Sequence, residues 1–430
     1  MLEGKREWSK KTLRSVVATY IGGGWGAECQ TEDCPAPAAV IRGTDIPGAL
    51  LGNTREIPRR FHKNSNLKSR TLQPGDIIFE VSGGSRDQPV GRALYCSHRL
   101  LASIGDKVIP ASFCKRIVPD SAWIDGRFLY YFLKSLYEDR RIAQWQVQST
   151  GISNFQFEAF LDECEINLPP IGTQRRIASF LSAYDDLIEN NTRRIAILEE
   201  KARSIYEEWF VRFRFPGYEQ ARMVKSELGM IPEGWTVEAV YDIAEVTYGF
   251  PFKSNLFRGI GDGRRGVIRI RDIKGNCPSA TTEEKADAKY LVSCGDILVG
   301  MDGQFHMGKW AGPQAWLNQR VLRLRPIANI SRNFLFLAVR DPIQILEKTI
   351  VGTTVAHLSA ADMKAMRLVV PATELMKKAM ALLDPMFDLE LSLHRASANL
   401  RTTRDFLLPR LISGELDVST LPEPEEAIAA

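Results

Sequence analysis

The sequence predicts an α+β fold built twice: two similar globular domains, separated by two long helices that form an antiparallel coiled coil, as a pseudo-twofold internal repeat. Three observations lead there. The first is an ordered recurrence of landmarks. Trp8, Gly22, Val40, Ile41, Arg42, Asp45 and Ile46 return as Trp235, Gly249, Val267, Ile268, Arg269, Asp272 and Ile273, each 227 residues later. The offset then falls to 220 between Gly75-Asp76-Ile77 and Gly295-Asp296-Ile297, to 217 between Gly91-Arg92 and Gly308-Lys309, and to 202 between Pro169 and Pro371. Order is kept while loops shorten, as expected of a duplicated unit. The second is that each half passes from short β-like runs into one long heptad stretch. The third is length, since 430 residues exceed one typical core and suit two domains with connecting elements.

The first domain, residues 1–168, has β-like runs broken by Gly, Pro and Asp, such as Val40-Ile41-Arg42 and Asp76 to Val81. Its residues Gly126 to Ile142 carry apolar side chains at helical spacing. A central helix occupies 169–216. After Leu168-Pro169-Pro170, the residues Ile177, Leu181, Tyr184, Ile188, Asn191, Ile195, Leu198, Ala202, Ile205 and Trp209 follow in alternating steps of four and three. That is an a/d seam, and Asn191 suits a polar, register-setting position within it. Arg193, Arg194, Glu199, Glu200, Glu207 and Glu208 make a charged flank. From Ile177 to Trp209 the helix would span ~50 Å, and Phe215-Pro216-Gly217 should end it.

The second domain, residues 217–370, repeats the plan, with a β-like run at Val267 to Ile270 and helical spacing from Asn333 to Ile350. A distal helix occupies 371–418. Leu382, Met386, Leu389, Leu393, Ala396, Leu400, Thr403 and Leu407 again step by four and three. Pro385 should kink this helix or split it after Asp384, and Pro409 and Gly414 mark its end. Residues 419–430 are rich in Pro, Glu and Ala and read as a disordered tail. An a/d stripe needs a partner. Each helix could pack on its own domain, but the narrow stripes and matched lengths favour pairing with each other.

Composition excludes several classes. A hydrophobic fraction of 44% and a charged fraction of 25% are those of an ordinary globular protein. Seven scattered cysteines with no Cys-x-x-Cys argue against a disulfide framework or a structural zinc, and indicate the cytoplasm. No signal peptide opens the chain and no apolar run reaches membrane-spanning length.

Net charge is only +4, so local clusters matter more. Arg55, Arg59, Arg60, Lys63, Lys68 and Arg70 crowd one stretch, and Arg258, Arg264, Arg265, Arg269, Arg271 and Lys274 another. One isolated cluster is usually a solvated face. A cluster in each half is the pattern of two phosphate-contacting surfaces. The DNA-contact candidates are Arg42, Arg59, Arg60, Lys63, Arg86 and Arg92 in the first domain. In the second they are Arg264, Arg265, Arg269, Arg271, Gln304, His306 and Lys309. Arginine can read guanine bidentately or pair with phosphate. Arg42 and Arg269 could equally be structural partners of Asp45 and Asp272. The glycine run Gly22-Gly23-Gly24-Trp25-Gly26 reads as a flexible loop.

Catalytic signatures are missing. Gly303 to Lys309 satisfies G-x-x-x-x-G-K, but Trp310 stands where a phosphate loop needs Ser or Thr, and Ala311-Gly312-Pro313 starts a helix poorly. No adenine-methyltransferase tetrapeptide, F-x-G-x-G, H-E-x-x-H or G-x-S-x-G is present. The five histidines are dispersed, and His306 is the one taken as a DNA-contact candidate.

These landmarks together resemble the specificity subunit of type I restriction-modification systems, over nearly the whole chain. Ile231-Pro232-Glu233-Gly234-Trp235 resembles the P-x-G-W opening of that family's target-recognition domains. Gly295-Asp296-Ile297-Leu298 with Gly308-Lys309, and Gly75-Asp76-Ile77-Ile78 with Gly91-Arg92, resemble its G-D-I-L and G-K/R landmarks. Leu168-Pro169-Pro170 with Gln174 to Ile177 resembles the start of its central helix, and Leu411 to Leu416 the end of its distal one. The first domain departs from the pattern, with Arg6-Glu7-Trp8 at its opening.

The resemblance implies that each domain is a target-recognition domain reading one half of an asymmetric, interrupted sequence in double-stranded DNA. The paired helices would set the gap and dock two methyltransferase subunits. S-adenosylmethionine would be used by those partners, and ATP and Mg2+ by motor-nuclease subunits. The chain itself would bind no cofactor or metal and catalyse nothing. The competing readings are a self-contained nucleic-acid-modifying enzyme and a coiled-coil scaffold that binds only proteins.

Overall fold

Gly75 turns the chain at φ +98° and delivers Ile77–Glu80, four buried residues in succession, into the middle of a sheet. Such an apolar run suits a strand covered on both faces. Cys114–Pro119 and Ala93–Tyr95 flank it antiparallel, and Val17–Gly22 lies outside Cys114–Pro119. In the second half Gly295, at φ +96°, delivers Ile297–Gly300 in the same way. Val321–Pro326 and Met307–Lys309 flank that strand, and Ala244–Tyr248 lies outside. The computed structural model describes residues 8–83, 88–105, 107–149, 152–261, 263–349 and 356–418.

Two further sheets recur. Ala36–Ile41 pairs antiparallel with Arg59–His62 and parallel with Val108–Pro110. Arg265–Ile268 pairs antiparallel with Thr281–Thr282 and parallel with Ala315–Leu317. Ser9–Thr12 with Glu165–Leu168, and Thr236–Ala239 with Arg367–Val370, join the two ends of each globular part. A helix, Gly126–Glu138 or Arg332–Thr349, covers each first sheet with buried residues that include Phe128 or Phe334.

Strand register corrects two of the matched landmarks. Gly249 corresponds to Gly23, not Gly22: Gly23 N donates to Cys114 O and Gly249 N to Val321 O, and Cys114 and Val321 face the corresponding residues Glu80 and Gly300. A bulge between Val17 and Thr19 accounts for the slip, because it adds one residue to one strand. Both glycines are needed for close approach, since a Cβ would lie 2.2 Å from Ala111 O at Gly23 and 1.9 Å from Asn318 O at Gly249. Gly23 is thus held against a backbone, not in a merely flexible loop. Lys309 corresponds to Tyr95, not Arg92, because Ile297 faces Lys309 as Ile77 faces Tyr95. Arg92 corresponds to His306, whose carbonyl accepts from Gly300 N as that of Arg92 accepts from Glu80 N.

The chain divides into two units, Met1–Thr192 with Asn399–Ala430, and Arg193–Ala398, so both division points fall inside long helices. The first long helix is Ile171–Tyr206, extended by a π turn at Glu207–Val211. Along it Ile177, Leu181, Ile188, Asn191, Ile195 and Ala202 are buried, and Tyr184, Leu198 and Ile205 half-buried.

The second long helix runs unbroken from Thr373 to Ile412, so Pro385 does not split it. Proline removes one hydrogen bond, to residue 381, and both Pro385 and Ala381 lie on the exposed side while Leu383, Phe387 and Leu391 are anchored in the core. The predicted seam is out of phase. Leu382 and Leu389 are exposed, at 38% and 40%, and Ala396 and Thr403 are exposed too. Met386, Leu400 and Leu407 are half-buried, and only Leu393 is buried. The buried row lies one residue later, at Leu383, Phe387, Glu390, Ser397, Leu408 and Leu411. One residue turns a helix by about 100°. The true row contains Glu390 and Ser397, so counting only apolar residues selects the neighbouring stripe.

Each unit has its own principal core. In the first, Ile177, Ala178 and Leu181 share a cluster with Leu408, Leu411 and Ile412, and Arg404 pairs with Asp185. In the second, Ala202 and Phe210 share a cluster with Leu375, Met376, Ala379 and Leu383. No helix among the described residues is long and apolar enough to cross a membrane.

Candidate nucleic-acid interface

In the first unit the basic candidates gather around the sheet of Ala36–Ile41. Arg59 and Arg60 enter by the strand Arg59–His62. Arg60 stacks over Trp25 with 4.6 Å to the ring centroid, and its guanidinium reaches Glu28 at 2.8 Å. Arg59 donates to Ile104 O at 3.2 Å, and Lys63 lies 3.9 Å from Asp33. Arg42 makes a two-pronged pair with Asp45, Nε to Oδ2 at 2.9 Å and Nη2 to Oδ1 at 2.7 Å. Asp45 also accepts from Arg42 N, so the arginine is held by the turn that follows it. Arg92 is clamped on Glu80 in the same fashion, at 2.8 and 2.6 Å, and the hydrogen bonds to Glu80 hold its guanidinium proton more firmly than usual. Arg86 lies outside the described residues.

Arg42 and Arg92 meet in one cleft of about 750 Å³, lined also by Trp25, Gly43, Glu80 and Phe113. Charge counting missed Trp25, Glu80 and Phe113. The available signal was a tryptophan inside a glycine run and an acid closing an apolar strand.

In the second unit Arg265 lies over Trp316 at 5.1 Å, and Arg264 lies 3.8 Å from Glu283. Arg269 lies 3.8 Å from Asp272 and donates to Ser279 Oγ at 2.5 Å, while Ser279 donates to Asp272. Arg271 and Gln304 are exposed. His306 is half-buried, and burial, then Lys274, pull its imidazole below the ordinary histidine range. Lys309 is a correction. Its ammonium is buried against Glu390 at 2.6 Å and lies over Phe336 and Phe387, so it faces the long helix and not solvent. The G-x-x-x-x-G-K run leads into the strand Met307–Lys309, so it lacks the helix N-terminus of a phosphate loop. Among the described residues no three His, Cys, Asp or Glu side chains converge as a metal site.

The arrangement offers clamped arginines, exposed aromatic faces and neighbouring carboxylates. Such groups bind phosphate and read base edges. Comparison with known proteins points the same way. The family model described as type I restriction modification DNA specificity domain matches residues 67–200 and 232–399. The chain is 26% identical over 322 residues to the type I restriction enzyme MjaIX specificity subunit of Methanocaldococcus jannaschii, covering 71% of this chain and 72% of that one. It is 20% identical over 442 residues to the HindI specificity subunit of Haemophilus influenzae, covering 85% and 90%. The crystal structure of a type I restriction-modification S subunit from M. genitalium superposes with a TM-score of 0.58 at 17% identity, covering 96% of this chain and 97% of that one, which is a likeness of fold. With a match in each half and a fold shared along its length, the chain belongs to the family of type I restriction modification DNA specificity domains.

Proposed function

We propose that this chain is the DNA sequence-recognition subunit of a type I restriction-modification complex. Each globular domain reads one half of a bipartite, asymmetric target. The observation that carries this reading is the doubling: the family model matches once in each half, and each half repeats the same three sheets. Different side chains on one scaffold suit two different half-sites.

The two long helices act as the ruler, as an antiparallel coiled coil. In one unit the early residues Ile177 and Leu181 share a core with the late residues Leu408 and Leu411, and in the other the late Ala202 shares one with the early Leu375 and Met376. That order supports antiparallel pairing. The outer faces of the helices dock two methyltransferase subunits, which bring S-adenosylmethionine. Motor-nuclease subunits bring ATP and Mg2+. The chain positions these activities on DNA and has no reaction of its own.

The test is methyl transfer from labelled S-adenosylmethionine to DNA. Transfer should require added methyltransferase subunits, and transfer by the purified chain alone overturns the reading.

A further inference from the structure

Gly43 and Glu80 occupy one corner of the first domain, and Ile270 and Gly300 occupy the same corner of the second. Strand register equates Glu80 with Gly300, and the matching turns that follow Arg42 and Arg269 equate Gly43 with Ile270. Each corner has one glycine and one side chain, in opposite places. In the first, a Cβ at Gly43 would stand 2.2 Å from Glu80 Oε1. In the second, a Cβ at Gly300 would stand 2.8 Å from Ile270 Cγ2. The first corner therefore holds a carboxylate clamped by Arg92, and the second an isoleucine against Gly300, whose N–H donates to the carbonyl of His306, the counterpart of Arg92.

Stability alone does not account for the charged version. Glu80 and Arg92 side chains are only 3% and 13% exposed, and a buried ion pair adds little over apolar filling of the same volume. The second domain uses apolar filling in that place. The pair also lines the cleft, and two aromatic residues there, Phe113 and Trp25, leave 58% and 37% of their surface to solvent. Exposed aromatic faces stack on bases. A carboxylate has about four acceptor positions, of which Arg92 takes two, and a glutamate can accept from an exocyclic base amino group.

We infer that this cleft is a base-reading site of the first domain, taking a nucleobase turned out of the duplex stack that presents an amino group to Glu80 and a face to Phe113 or Trp25. The inference rests on the DNA-recognition reading above and deepens it. The second domain, with Ile270 and Gly300 in the same corner, reads its half-site with different chemistry there. The Gly43/Glu80 and Ile270/Gly300 exchange is then one source of the asymmetry of the target.

The experiment is selection of a random-sequence duplex pool by the full chain, sequencing what is retained. Two variants are compared with the parent: Phe113→Ala, and the paired Gly43→Ile, Glu80→Gly that exchanges the glycine and the side chain of the corner as in the second domain and leaves Arg92 without its carboxylate. The expected result is a change of about tenfold or more in base preference at one or two adjacent positions of one half-site. The other half-site and the gap stay as they were. Unchanged preference in both variants overturns the inference while leaving the DNA-recognition reading intact. If the paired variant fails to fold its domain, the exposed Phe113→Ala variant decides, and unchanged preference there is the overturning result. A parent chain that selects no two-part sequence overturns the DNA-recognition reading and this inference with it.

Discussion

The ammonium of Lys309 and the carboxylate of Glu390 lie 2.6 Å apart with both side chains 4% exposed. Burial raises the Glu390 carboxyl above its usual range, and Lys309 offsets part of that rise. Losing one partner strands the other charge in the core, so Lys309→Ala should lower the unfolding free energy by ~3–5 kcal/mol. The double change Lys309→Met with Glu390→Leu should recover most of it. Urea unfolding of the three proteins checks this, and a double variant as unstable as the single one would be the wrong result. His306 gives a pH prediction. Burial first, and Lys274 second, lower its pKa in the folded chain. The fold therefore favours neutral imidazole. The stability this contributes is present above the unfolded value of about 6.5 and is lost as pH falls through the lower folded value. His306→Asn should flatten that part of the melting temperature profile.

At the scale of elements, the two long helices differ in how openly their sequences state their packing. The predicted seam of the first helix has no exposed member from Ile177 to Ile205, because its one polar residue, Asn191, was recognisable as a seam position. The second helix buries Glu390 and Ser397, which an apolar count assigns to solvent, and it exposes Leu382 and Leu389. The phase predicts a contrast measurable by equilibrium unfolding of the isolated chain. Phe387→Ala should cost ~3–5 kcal/mol, and Leu389→Gln, two positions on, less than ~0.5. Equal costs would return the seam to the leucines. Strand matching shows a similar limit. The Gly-Asp-Ile landmarks mark equivalent strands, since Asp76 and Asp296 are both buried and paired with arginines, Arg116 and Arg325. A glycine followed by a basic residue does not mark equivalence, because Gly91-Arg92 and Gly308-Lys309 sit at different register positions.

For the whole molecule, the proposed ruler makes a geometric prediction. Four residues inserted into the first long helix near Glu199 would lengthen it by about 6 Å. The gap between half-sites should change and the half-sites themselves should not. Sequencing of selected duplexes reads both, and altered half-sites with a constant gap would remove the ruler.

The sequence by itself determined the α+β class, the recurrence of landmarks in the two halves and which residues of the first long helix are buried, because these are written as order and period, which survive without coordinates. It also marked the basic stretches from which Arg60 and Arg269 come, and the matched places of Arg42 and Arg269. Only the tertiary structure decided which of those charges remain accessible. Lys309 was a contact candidate by its neighbours in sequence and is a buried partner of Glu390, 81 residues away. Glu80, Trp25 and Phe113 come from three separate segments to line one cleft. Whether a charge meets water, a carboxylate or a ligand depends on which distant segments fold against it, and no local pattern carries that information.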